Sequence, residues 1–193
     1  MKKSIWIVLL IMLVLGACAL LLQTKAANTY SFSSLSSSSK PKQSMQLYTN
    51  AENEFQISYP SDWMYRSYEG GVGFQPKEKP TGSQYEYISI SISPKPGSMA
   101  SLPFAQYVKV AAQNEIQNYQ KLASLQSFST ADGQKGYLTT WMVQPLGGGK
   151  PTESLPIAYL PARNSKNTIE VFLNDKKYMD VFTNMLSTFQ YTK

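Results

Sequence analysis

The chain has 193 residues, with 18 basic and 12 acidic side chains, 13 tyrosines, one cysteine and no histidine. Residues 1–43 hold five lysines and no acid, and the other 13 basic and 12 acidic residues leave the remainder at +1, so no basic stripe exists and nucleic acid is excluded as an expected partner. The missing histidine removes Ser-His-Asp and Cys-His catalysis and histidine metal sites, and a lone cysteine, Cys18, removes an internal disulfide and a thiolate zinc site.

In chain order, Lys2 and Lys3 precede 18 uncharged residues, 5–22, which are long enough to span a bilayer core as a helix. The positive start keeps the N-terminus in the cytoplasm and puts the rest of the chain outside it. Within this stretch Leu15-Gly16-Ala17-Cys18 resembles a bacterial lipobox, which implies cleavage before Cys18 and lipidation of its thiol. The apolar run continues through Leu20-Leu21-Leu22, as a retained anchor would. Both readings stand, beside a conventionally cleaved leader, and all three place the domain on the same side of the membrane. Residues 23–46 form a linker. Seven of the nine residues from 31 to 39 are serine, and such a segment has no apolar periodicity with which to offset its ordering entropy. Phe32 and Leu35 are isolated within it.

The remainder, 47–193, reads as one domain. Residues 47–50 and 54–59 are two short strands. In the run F-Q-I-S-Y-P-S-D-W, residues 55–63, Phe55, Ile57 and Tyr59 share one face, Pro60 ends the pairing, and Trp63 folds back on that face. Residues 64–69 and 72–75 are strands around Gly70-Gly71, and a polar loop follows. Residues 85–93 are the clearest strand, with Ile88, Ile90 and Ile92 opposite Ser89, Ser91 and Ser93. Pro103 opens a helix, capped by Ser101 or a neighbour, whose stripe is Phe104, Tyr107, Val108, Ala111, Ala112, Ile116 and Tyr119. Residues 124–130 and 136–144 form a hairpin across Asp132-Gly133, and the second strand is apolar on both faces, as a central strand covered on both sides would be. A glycine-rich loop at 145–153 leads to strands at 155–160 and 167–173. A helix at 175–188, capped by Asn174 or Asp175, precedes a short strand at 189–191. Hairpins outnumber β-α-β units, which predicts an α+β fold with a twisted, mostly antiparallel sheet flanked by helices.

F-Q-I-S-Y-P-S-D-W resembles the opening signature of PsbP-like domains, and M-L-S-T-F-Q at 185–190 resembles their closing helix-to-strand signature. The order of elements over about 46–192 fits the same family. The resemblance implies an α/β/α sandwich and roles in binding and assembly. The family includes an extrinsic photosystem II subunit, its assembly-factor relatives, secreted and lipid-anchored bacterial proteins and a small Ran-binding protein. The chain departs from the photosynthetic members in having no histidine and in its bare bacterial-style leader.

Other chemistry is weakly marked. Gly147-Gly148-Gly149-Lys150 lacks the strand before and the helix after that a phosphate loop needs, because Pro151 follows. Glu52, Glu54 and Asp62 flank the signature strand and offer oxygens to a hard cation, but without an EF-hand spacing; Asp62 is instead expected to cap the turn before Trp63. A Ser-Lys dyad is the one nucleophilic arrangement the composition allows, and no context marks a pair. Of the aromatic set Tyr59, Trp63, Tyr65, Tyr68 and Phe74, Tyr65 and Tyr68 are the candidates for a partner-binding surface. The sequence thus reads as a non-enzymatic, membrane-tethered, extracytoplasmic binding or assembly module. It has no cofactor and no metal, and its partner is an unidentified envelope component. The alternative is an extracytoplasmic small-ligand carrier or enzyme using the cleft beside the sheet.

Overall fold

Strand β1, Met45–Asn50, pairs antiparallel with β2, Phe55–Pro60, and β2 turns at Ser61-Asp62 into β3, Trp63–Tyr68, which belongs to a different sheet. The computed structural model describes residues 43–78, 86–114, 121–145 and 148–192, all within one compact unit spanning 40–193. The leader with Cys18, the serine-rich segment to residue 42, the loop at 79–85, Ile116, Tyr119 and Gly147 lie outside the described residues. Among the described residues no helix is long and apolar enough to cross a membrane.

The remaining strands are β4 (Gly71–Pro76), β5 (Ile88–Pro94), β6 (Lys121–Ser129), β7 (Lys135–Val143), β8 (Thr152–Glu153), β9 (Ile157–Pro161), β10 (Asn167–Leu173) and β11 (Gln190–Tyr191). The large sheet runs β3-β4-β5-β10-β9-β7-β6, with β8 on β7, and the small sheet runs β1-β2-β11. Every pairing is antiparallel. Helix α1 is Phe104–Asn114 and helix α2 is Met179–Thr188. The mostly antiparallel α+β reading therefore holds. The first strand begins two residues before the expected domain start, and the last helix is entered through a one-turn 3-10 helix, Lys176–Tyr178, in which Asp175 accepts the N–H of Lys177. Pro103 stands just before α1, and its carbonyl accepts from Gln106 and Tyr107.

Alternation along the strands divides the core in two. Ala158 and Leu160 of β9 pack with Phe55, Ile57, Ile88, Ile90, Ile169 and Val171, and with Phe182, Met185 and Leu186 of α2. Their neighbours Ile157 and Tyr159 point the other way and join Trp141 with Tyr107, Val108 and Ala112 of α1. Strand β7 serves both sets, through Leu138 in one and Tyr137 and Trp141 in the other, so its apolar residues on both faces are explained. Trp141 is buried and its Nε1–H donates to the carbonyl of Ala112, in the last turn of α1, at 3.0 Å. Replacing Trp141 with Phe removes that hydrogen bond and leaves the site under-filled. The expected loss is about 2–3 kcal/mol of unfolding free energy, checked by urea denaturation.

The C-terminal strand is held by the β6–β7 turn. Asp132 accepts from Thr130 Oγ1 at 2.5 Å and from the backbone N–H of Tyr191 at 3.1 Å, and Ala131 N–H donates to Phe189 at 2.9 Å. Arg163 donates to the carbonyl of Thr192 at 3.0 Å, and the Tyr191 hydroxyl donates to the carbonyl of Pro161. Burial pushes the Asp132 carboxyl upward, but the hydrogen bonds from Thr130 and the backbone of Tyr191 and Gln134 outweigh it and hold the carboxyl below its ordinary value. A carboxylate held low contributes stability that is present above its unfolded pKa and is lost as pH falls through the folded one. The melting temperature of the wild type should therefore fall more steeply than that of Asp132→Asn below about pH 4, the ordinary carboxylate range, in parallel acid titrations by circular dichroism.

Candidate functional site

The stretch 64–68 is the longest run of consecutive exposed residues within any strand, and it lies on the edge of the large sheet. Met64, Tyr65 and Tyr68 are 44%, 47% and 45% exposed, whereas Trp63 at the start of the same strand is 2% exposed. The cause is position. A strand at the end of a sheet with no layer beyond it exposes both of its faces as well as its edge.

Tyr65 and Tyr68 are three residues apart, so they point to opposite faces of β3. The structure does not bring them together. The Tyr65 ring meets Tyr48 edge-on at 4.9 Å and Tyr59 at 5.9 Å, at the rim of the main core. Tyr68 stands on the other face and lies over its pairing partner Gly71, where a Cβ would fall 2.5 Å from the ring. Its hydroxyl donates toward the carbonyl of Ile90 at 3.5 Å. Burial, then the negative charge of Glu86, pushes the Tyr68 phenol up, so it remains a neutral donor at physiological pH. The other three aromatics of the expected set, Tyr59, Trp63 and Phe74, are core residues.

Tyr68 also borders a polar cleft of about 420 Å³ where the turns β1–β2 and β3–β4 meet, lined by Tyr48, Asn50, Asn53, Ser67 and Asn167 among others. A neighbouring concavity of about 400 Å³ shares Glu52, Asn53 and Asn167 and adds Glu54, Arg163 and Asn164. Asn50 is committed to its own turn, where its Oδ1 accepts from the backbone of Asn53 at 2.9 Å. The Arg163 guanidinium lies 4.0 Å from the Glu54 carboxylate, with both side chains half exposed, a pair that contributes little to stability. These groups can hydrogen-bond a polar molecule, and sequence reasoning missed the asparagines because each reads singly as a turn residue.

Glu52 and Glu54 do not converge with Asp62. The two glutamates sit in the β1–β2 turn and Asp62 at the far end of β2, where it accepts from Gln43 at 3.0 Å rather than capping the turn before Trp63. Among the described residues no group of three or more acid, cysteine or histidine side chains could hold a metal. No helix follows Lys150; the chain enters β8 at Thr152.

The sequence matches the family described as PsbP-like protein over residues 4–134, which takes in the opening signature at 55–63 and stops short of the closing one. No curated protein matches the chain. The solution structure of cyanobacterial PsbP (CyanoP) from Synechocystis sp. PCC 6803 aligns with a TM-score of 0.51 at 18% identity, over 81% of this chain and 97% of that one. The Ran-binding protein Mog1p of Saccharomyces cerevisiae aligns at 0.47 and 9% identity, over 79% of this chain and 97% of its own. With more than half of its length matched and that cyanobacterial fold alongside, the chain belongs to the PsbP-like protein family.

Proposed function

We propose that this PsbP-like protein is a non-enzymatic binding or assembly module, tethered to a membrane by residues 1–22 and carrying its domain on the extracytoplasmic side, where it engages another envelope component. The observation that carries the reading is the exposed row on β3: three large side chains, Met64, Tyr65 and Tyr68, each close to half exposed along one six-residue edge strand. Methionine adapts its apolar surface to a partner, and tyrosine is enriched where binding energy concentrates. The two core clusters on opposite faces of the large sheet support the α/β/α layering that leaves this edge uncovered. The uncharged run behind Lys2 and Lys3 supports the tether, and Cys18 offers a lipid anchor as the other way of holding it.

A second reading, a small-ligand carrier, is favoured by the polar cleft beside Tyr68. The two are separable. Tyr65→Ala and Tyr68→Ala each remove a half-exposed ring, so each should lower stability by about 1 kcal/mol or less. Cross-linking of the full chain in its native membrane should enrich one envelope protein for the wild type and lose it by about tenfold for the double variant, with the melting temperature lowered by only a few degrees. Unaltered capture by the double variant, with a small polar molecule raising the melting temperature of the wild type, would hand the function to the cleft. Globomycin tests the lipid anchor: an unchanged mass and no lipid label exclude lipidation at Cys18.

A further inference from the structure

The register of β3 on β4 fixes which backbone groups face outward. Lys77 N–H donates to the carbonyl of Asp62 at 2.9 Å, and the pairing continues without a shift through Met64↔Gln75, Arg66↔Gly73 and Tyr68↔Gly71. In an antiparallel pair the bonded positions alternate, so Asp62, Met64, Arg66 and Tyr68 bond inward and Trp63, Tyr65 and Ser67 turn their N–H and C=O groups away from β4. Gln46 Nε2 donates to the Trp63 carbonyl at 3.0 Å and closes that end. Among the described residues, the outward groups of Tyr65 and Ser67 have no partner.

Sheets ordinarily guard such an edge with a bulge, a proline, a lysine or a covering element. The opposite edge of this sheet does so: β6 carries a register shift between Leu122 and Ser124. Strand β3 has neither proline nor bulge nor lysine over its six residues. It has one charge, Arg66, exposed and without an ion pair among the described residues, between Met64 and Tyr68 on the same face.

We infer that β3 is a strand-addition site, and that its occupant is an extended segment of a partner protein which pairs with Tyr65 and Ser67 and sets an acidic residue, between apolar ones two positions away on either side, against Arg66. The inference rests on the binding-module reading and names how that module binds. Backbone hydrogen bonds supply the docking, and the Met64-Arg66-Tyr68 row supplies the choice of sequence, because residues at alternate positions of an added strand face one row. A carboxylate opposite the Arg66 guanidinium gains a charge-assisted contact, whereas a lysine there is repelled.

The test is a library of random displayed decapeptides selected on the full chain in detergent, with the enriched peptides then synthesised. Enriched peptides should alternate apolar residues around an acid and slow hydrogen exchange across residues 63–68. Ser67→Pro removes only an outward N–H, a place where an edge strand tolerates proline, and should weaken them by about tenfold. Methylating alternate backbone nitrogens of the peptide should weaken binding similarly and needs no variant. Arg66→Glu should turn the selected acid into a base. Protection elsewhere, with Ser67→Pro and the methylated peptides binding as before, overturns strand addition and leaves the binding-module reading standing on another surface. No enrichment at all overturns strand addition and leaves the binding-module reading to the cross-linking. A concentration-dependent dimer abolished by Ser67→Pro gives the edge to a second copy of this chain and overturns the partner segment.

Discussion

The stack of Phe55 on Phe189 is the contact on which the rest depends. The rings are both fully buried, 5.2 Å apart and 17° from parallel. Phe55 opens β2, and Phe189 links α2 to β11, so the stack joins the beginning of the domain to its end. It also sets the register in which Tyr191 pairs with Phe55 and Gln190 with Gln56. Two residues make a negligible strand alone; β11 persists because Phe189 anchors one side, the Asp132 carboxylate takes the Tyr191 N–H, and the backbone carbonyl of Glu54 accepts the N–H of Thr192 at 2.8 Å. The two halves of the family signature are thus one structural object. The aromatic at the start of the first and the aromatic near the end of the second are in contact, although 134 positions separate them.

That closure decides where the open edge falls. With β2 held between β1 and β11, the first hairpin packs over the large sheet instead of extending it. The chain changes sheet at Ser61-Asp62, and Trp63 fills the corner, its ring 5.0 Å from Tyr178 and nearly perpendicular to it. Strand β3 then has β4 on one side only. The Tyr48 and Tyr59 rings reach as far as Tyr65 and cover its inner flank, so one side of that ring is core and the other is surface.

Most of the elements were legible because their signals are local. The alternation of Ile88 and Ile90 with Ser89 and Ser91, the prolines at 60 and 103, Asp132-Gly133 and the 3.6-residue stripe of α2 each depend on residues a few positions apart. The candidate site was half legible. Tyr65 and Tyr68 stood out from the aromatic set by residue type, because tyrosine is what a binding surface favours. Met64 did not stand out, because an apolar residue in a strand reads as core. Nor did the open edge, because strand order is a long-range property: β3 is an edge because β10 joins the sheet beyond β5 and not beyond β3. The grouping of Glu52, Glu54 and Asp62 failed for a simple geometric reason. A six-residue strand separates two of them from the third by about 20 Å, far beyond any coordination sphere.

The edge and the cleft compete for the same residues, and that bears on which one the fold favours. Tyr68 borders the cleft and ends the β3 row, and Ser67 lines the cleft and presents one of the two outward backbone pairs. The cleft lies where two turns meet, and one of its amides, Asn50, is already committed to its own turn. A polar ligand there must displace water from groups that gain little in exchange. An added strand instead satisfies backbone groups already held in line by β4, so little ordering is left for binding to impose. Tyr68, fixed over Gly71, is equally preorganised. The rigid partner in such a complex is β3, and the conformational cost falls on whatever binds to it.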